Sequence, residues 1–333
     1  MVKAPHASAF LGSLSAFEAY DVTPHIGTRF PSTATQLSAI LKDDEKVKDL
    51  AHLVSQRGVV FFTNQDLEIQ DQKELGYKLG KLSWSGHPET SGLHVHPISE
   101  DLPELGRDVG IITSKGGIAA PEKHNFRSRA SKDWHSDVTF EPIPSDYAIL
   151  KMHTLPEVGG DTLWASAYEA YDRLSPAFQK FLEGLTAYHN GGQFNVYAKT
   201  HNLPIQQNRG SPVNSGDDLS ATHPIIRTNP VTGYRGLFVN KAFTKRIVEL
   251  SPDESDNVLQ YLFRHISENH DLQVRYRWEQ NDIAIWDNRS TFHTATKDYG
   301  NVLRSGNRIA SLGERPFFDP NSKSRREVLN IQD

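Results

Sequence analysis

"LQVRYRWEQNDIAIWDN", Leu272 to Asn288, is the stretch from which the fold is read. Val274, Tyr276 and Trp278 alternate with Arg275 and Arg277, the period-two pattern of a strand with one buried face. Asn281-Asp282 reads as a turn, and the apolar run after it as a second strand. "VVFF" (Val59 to Phe62) reads as a buried strand, and "SDYAILKMHTL" as another. Helical spacing surrounds these segments. Leu37, Ile40, Leu41, Val47, Leu50, Leu53 and Val54 fit two helical segments that end at Gly58, and "DQKELGYKLGKL" fits a short amphipathic helix. "SPAFQKFLEGL" and "SPDESDNVLQYLFRHISEN" each place a serine N-cap before a proline, and Ser251 with Glu254 forms a capping box. Central strands with flanking helices predict a mainly β fold, a sandwich or barrel with added helices. No repeat or linker divides the chain, so residues 1–333 are expected to form a single catalytic domain, with 1–30 as a loosely structured arm. Gly86 to Ala130 and Gly191 to Leu219 read as long loops, apart from "DVGIITS".

Composition narrows the function. A net charge of −5 argues against a general nucleic-acid binder, and no apolar run is long enough to span a membrane. The N-terminal stretch makes a poor secretory signal, so a cytoplasmic protein is expected. There is no cysteine, which excludes disulfides, thiolate metal sites and cysteine nucleophiles. Any transition metal must be held by His, Asp or Glu.

"KDWHSDVTF" puts His135 and Asp137 two residues apart, on one side of an extended chain. Such a pair fits either a divalent metal or a surface hydrogen bond. A third ligand must come from elsewhere, and His293 in "IWDNRSTFHTATKDY" follows a strand and a polar turn. Spacing alone does not single it out from 15 histidines. Two histidines and one carboxylate leave three metal positions open, the arrangement of non-haem Fe(II) oxygenases. Downstream, Arg304 and Arg308 share a strand face with Gly306 between them. An arginine grips a carboxylate with two parallel hydrogen bonds; the plain alternative is a strand edge kept soluble by charge. His94 and His96 form an H-x-H pair that could also bind a metal.

From Val59 to Phe318 the chain resembles the taurine dioxygenase family of Fe(II)- and 2-oxoglutarate-dependent oxygenases. The blocks that carry the likeness, in order, are "LHVHP", "WHSDVTF", "GGDTLWAS", "HPIIRTNPVTG", "LFVN" and "NDIAIWDNRSTFHTA", closing with the paired arginines. The resemblance implies a double-stranded β-helix (jelly-roll) core, with iron bound by His135, Asp137 and His293. It implies 2-oxoglutarate and O2 as co-substrates, with Arg304 and Thr162 supporting the far carboxylate of 2-oxoglutarate. His96 and Arg308 match positions that hold an anionic substrate head, and Phe243 matches an aromatic pocket wall. Ser131 stands where taurine dioxygenases carry asparagine, which implies altered amine recognition. "QFNVYAKTHNLP" shows little resemblance, so the reaction class transfers better than the substrate. The expected partner is a small anionic molecule, a sulfonate or an amino acid or other carboxylate, with a homo-oligomer left open. Hydroxylation, desaturation and ring closure are all outcomes of this chemistry. A reading of another class is a non-catalytic jelly-roll protein that binds small acids. A zinc hydrolase would need a nearby general base, and no H-E-x-x-H-like motif is present.

Overall fold

The VVFF run is apolar throughout because both of its faces are covered. Val60 and Phe62 pack on one side with Val47, Leu50 and Val54, whereas Val59 and Phe61 pack on the other with Trp164 and Tyr276. The computed structural model describes residues 11–84, 92–99, 104–115 and 129–331. In it Val59–Phe62 lies within a seven-stranded sheet ordered Tyr20–Asp21, Thr28–Phe30, Val59–Phe62, Ile283–Asp287, Ser145–Thr154, Ser305–Leu312, Gly110–Thr113. Neighbours are antiparallel except Thr28–Phe30 with Val59–Phe62, which are parallel.

The two strands of the 272–288 stretch do not pair with each other. Gln273–Tyr276 joins Thr162–Ser166 and Thr291–Ala295 in a second, three-stranded antiparallel sheet. Ile283–Asp287 instead pairs between Val59–Phe62 and Ser145–Thr154 in the large sheet. Asn281, with φ 65°, takes the left-handed conformation at the corner between the sheets. The facing sheets bury a shared aromatic core, in which Trp164 lies 5.4 Å from Phe61 and 5.8 Å from Trp286. This is a double-stranded β-helix (jelly-roll) core with flanking helices.

Asp44–Arg57 and Ile69–Ser83 cover the outer face of the large sheet. The first is capped by Asp43, which accepts from the backbone of Glu45 and Lys46, and ends at Gly58 with φ 76°. Pro252–Ser267 covers the second sheet through Leu259, Leu262 and Ile266, and its capping box forms as read, with the Ser251 amide donating to Glu254 at 2.9 Å. None of the helices among the described residues is long and apolar enough to cross a membrane.

Two expectations change. Residues 11–30 are not a loose arm, because Thr28–Phe30 joins the sheet and Phe30 stacks on Phe62 at 4.7 Å. Three residues are too few to display a period; residues 1–10 lie outside the described residues. The 191–219 stretch contains a helix, Gly192–His201, closed by Asn202 with φ 53°. Ala198 is its one buried residue, so it carries no apolar stripe to announce it. "DVGIITS" does contain a strand, Gly110–Thr113, whereas much of the remaining 86–130 loop lies outside the described residues.

Two buried histidines set an acid limit on stability. His189 and His223 pack with tilted rings, centroids 5.3 Å apart, and His223 Nε2 donates to the Glu141 carbonyl at 3.0 Å. Burial, with the Arg227 charge, lowers His223 from 6.5 to about 3, so the folded chain keeps it neutral. The unfolded chain takes up that proton below its ordinary value. Stability from this group is therefore complete above 6.5 and falls as pH drops toward 3. The slope is at most about 1.4 kcal/mol per pH unit for this one group. Urea midpoints are expected to fall between about pH 7 and about pH 5. His223→Gln should flatten that fall, and an unchanged slope would remove His223 as a cause.

Candidate active site

His135 and His293 are brought together by the backbone itself. The two residues exchange both backbone hydrogen bonds, at 3.0 and 2.7 Å, in an isolated antiparallel bridge. Their rings lie 4.3 Å apart. Phe292 packs into the outer cluster with Leu259 and Leu262. By alternation His293 faces the space between the sheets, where its ring sits 5.1 Å from Trp286. His135 Nδ1 is 2.7 Å from the Asp133 carbonyl, which fixes the proton on Nδ1 and leaves the Nε2 lone pair free.

Asp137 does not reach this point by simple alternation, because the chain turns after Ser136. Val138 takes φ 48°, a costly conformation for a β-branched residue, and is buried against Phe140, Leu219 and Phe243. The Asp137 amide donates to Asn288 Oδ1 at 3.1 Å, and the same oxygen accepts from Trp286 Nε1 at 3.1 Å. Asn288, in the turn before His293, thus positions Asp137. Sequence reading missed it; its one signal is a pair of polar residues, Asp287 and Asn288, closing the apolar run 283–286.

The three side chains offer ligand atoms that all lie within 4.8 Å of one another. Asp137 Oδ1 is 3.7 Å from His135 Nε2 and 3.8 Å from His293 Nε2. Burial works against the Asp137 charge, yet the neighbouring Arg308 guanidinium outweighs it and holds the carboxyl well below the usual range. Burial, with the neighbouring His135, lowers His293 to about 3, so its imidazole stays neutral with a lone pair to give. One anionic oxygen and two imidazole nitrogens converging on one point suit a divalent metal. Among the described residues Asp137 Oδ2 and His293 Nδ1 are buried without a hydrogen-bond partner. No other group of three His, Cys, Asp or Glu in the described residues converges this way.

Arg304 is buried and braced. Its Nε donates to the Gly160 carbonyl at 2.9 Å and one Nη to Thr162 Oγ1 at 3.4 Å, while Trp278 Nε1 holds the same hydroxyl at 3.0 Å. Gly160, with φ 73°, lets this happen, since a Cβ there would come within 2.9 Å of Arg304 Cδ. Gly160→Ala is therefore expected to displace the guanidinium and raise the 2-oxoglutarate concentration needed for half-maximal rate. A loss of about 1–3 kcal/mol is expected from the strained backbone alone. An unaltered 2-oxoglutarate dependence would show that Arg304 does not serve it.

Arg308 donates from Nη1 to Asp137 Oδ1 at 2.7 Å. Between the arginines, Gly306 presses against the Lys151 carbonyl, where a Cβ would overlap, and the strand bulges between Ser305 and Gly306. The two guanidiniums thus have separate tasks: Arg304 at Thr162, Arg308 at Asp137.

His96 meets Phe194 edge-on at 4.7 Å, and Phe243 meets His135 edge-on at 6.1 Å. Phe140 packs between Phe194 and Phe243, at 5.4 and 5.1 Å, so three phenylalanines form one apolar wall beside His135. Phe194, on the helix read as a loop, was missed for that reason. Burial, then the His94 and Arg308 charges, hold His96 well below its ordinary value, so it is neutral. His94 turns away from the wall, with Nε2 3.6 Å from Glu141, which is also paired with Arg209. Ser131 is not brought to this site. It is exposed and borders a small cavity with Trp134, Phe263, Ile266 and Phe292, on the other face of the His293 strand. Its expected role in amine recognition loses its geometric basis.

The profile of a family described as "Taurine catabolism dioxygenase TauD, TfdA family" matches residues 18–310. The chain is 43% identical to the alpha-ketoglutarate-dependent dioxygenase btcD of Neocamarosporium betae, covering 95% of this chain and 96% of that one. It is 34% identical to an alpha-ketoglutarate-dependent sulfonate dioxygenase of Saccharomyces cerevisiae, covering 90% and 67%. A crystal structure of a putative alpha-ketoglutarate-dependent taurine dioxygenase from Burkholderia xenovorans superposes with a TM-score of 0.70, at 26% identity and 92% of both chains.

Proposed function

Because this chain belongs to the taurine catabolism dioxygenase (TauD, TfdA) family, we propose that His135, Asp137 and His293 hold its catalytic iron. The enzyme is an Fe(II)- and 2-oxoglutarate-dependent dioxygenase of small substrates, using O2 as second co-substrate. Bound at the triad, Fe(II) supplies O2 activation coupled to decarboxylation of 2-oxoglutarate to succinate and CO2. The observation that carries the assignment is the convergence of the three ligand atoms within 4.8 Å. Residues 1–333 act as one catalytic domain in this reading.

The chain's own residues do the positioning. The Asp133 carbonyl and Asn288 set the orientation of His135 and Asp137. Arg304, held by Gly160 and Thr162, presents its fork to the far carboxylate of 2-oxoglutarate. Phe140, Phe194 and Phe243 exclude water on the substrate side, which protects a reactive centre from side reactions. His96, neutral and beside Phe194, offers a hydrogen bond, and Arg308 a positive charge.

That combination suits a small substrate with an anionic head and an apolar body, whose C–H bond is the one oxidised. The sulfonate dioxygenase of S. cerevisiae supports a sulfonate, and an amino acid or other carboxylate fits the same charge. Succinate release, measured with and without a panel of small sulfonates and carboxylates, tests the reading. Stimulation by at least one anionic compound and none by its uncharged amide or ester is expected. Equal stimulation by both would overturn the anionic class.

A further inference from the structure

Asp137 has two carboxylate oxygens in different surroundings. Oδ1 faces both imidazole Nε2 atoms, at 3.7 and 3.8 Å, and is the oxygen a metal at the triad would take. The same Oδ1 accepts the 2.7 Å hydrogen bond from Arg308 Nη1. We propose that Arg308 is a resident cation of the metal site, competing with the divalent metal for Asp137 Oδ1.

The argument is one of charge and distance. Zinc-type dications sit about 2.0–2.2 Å from a carboxylate oxygen. With the guanidinium nitrogen 2.7 Å from that same oxygen, the two cations would be closer than about 5 Å in a buried site. Like charges so placed repel, and Asp137, at 4% exposure, is too buried for water to screen them well. Without the metal, Asp137 is a buried carboxylate that needs a counter-charge, and Arg308 provides it. When the metal takes Oδ1, the guanidinium is driven from that oxygen and becomes available to an anion. Linkage makes the effect reciprocal, so an anion that engages Arg308 raises metal affinity by the factor by which metal raises anion affinity. This second consequence, unlike the first, rests on Arg308 being the anion-binding residue.

The test measures metal binding rather than turnover. Mn(II), which does not oxidise under these conditions, is titrated into the metal-stripped full chain and free Mn(II) is followed by electron paramagnetic resonance. Arg308→Gln is expected to bind Mn(II) about fivefold or more tightly than the wild type, and Arg308→Lys to stay near the wild type. Arg308→Met, with a side chain of similar reach and no charge, gives the same readout should the Gln variant fail to fold. Equal or weaker Mn(II) binding in a folded Gln or Met variant overturns the proposal. Methanesulfonate should tighten Mn(II) binding by the wild type and not by the uncharged variants. Tighter binding in those variants with no methanesulfonate effect in the wild type supports the competition and overturns Arg308 as the anion site.

Discussion

His135→Ala is expected to abolish Fe(II)-dependent turnover while leaving the fold standing. Its side chain is 27% exposed, so truncation opens no sealed cavity, and its backbone bridge to His293 survives the change. Loss of a supporting group around a metal typically costs about 10–100-fold in affinity or activity, and a ligand should exceed that. The expected result is Mn(II) binding weakened by more than about 100-fold with a melting temperature near that of the wild type. The truncation also removes the nitrogen that faces Asp137 Oδ1, leaving two ligands for a site that needs three. Retained tight metal binding would place the metal elsewhere.

Arg304→Lys gives the second large effect. The guanidinium spans Gly160 and Thr162 with two different nitrogens while keeping its remaining donors for a ligand. A lysine has one nitrogen and cannot brace itself and grip a carboxylate with parallel bonds. Burial already disfavours a positive charge at this position. The 2-oxoglutarate requirement should rise by the worth of a charged hydrogen bond, about 1.5–3 kcal/mol, or roughly tenfold to a hundredfold. The substrate requirement should change far less, because Arg308 and His96 lie on the Asp137 side. Comparing KM for 2-oxoglutarate and for substrate in this variant separates the two roles. A rise confined to the substrate would exchange the assignments of Arg304 and Arg308.

The legible parts of the fold were those with strong local patterns. Val59–Phe62, the Asp44–Arg57 helix with its Gly58 stop and the Ser251–Glu254 box each carry a local cause, and each forms. The corner at Asn281 was visible as a turn, but not its destination in two sheets. Alternation says which face a residue takes, not which strand lies beside it. The helix Gly192–His201 was invisible because it buries so little, and Phe194 went with it. In the site, no spacing rule distinguishes His293 from 15 histidines; the backbone bridge to His135 does. Asn288 acts through the Asp137 amide, and a contact to a distant backbone group leaves no mark on a one-dimensional pattern. Ser131 lies within the 3-10 turn Ala130–Lys132, and counting residues back from His135 gives no hint that it faces the other side of the sheet.

The central claim is that the metal sits between His135, Asp137 and His293 and not on the H-x-H pair. His94 Nε2 points at Glu141, 3.6 Å away, and His96 packs on the phenylalanine wall. Fe(II)-dependent succinate release, measured side by side in His293→Ala and His94→Ala, separates the two sites. The account predicts no release from folded His293→Ala and measurable release from His94→Ala. Full release from His293→Ala, with none from folded His94→Ala, would contradict it.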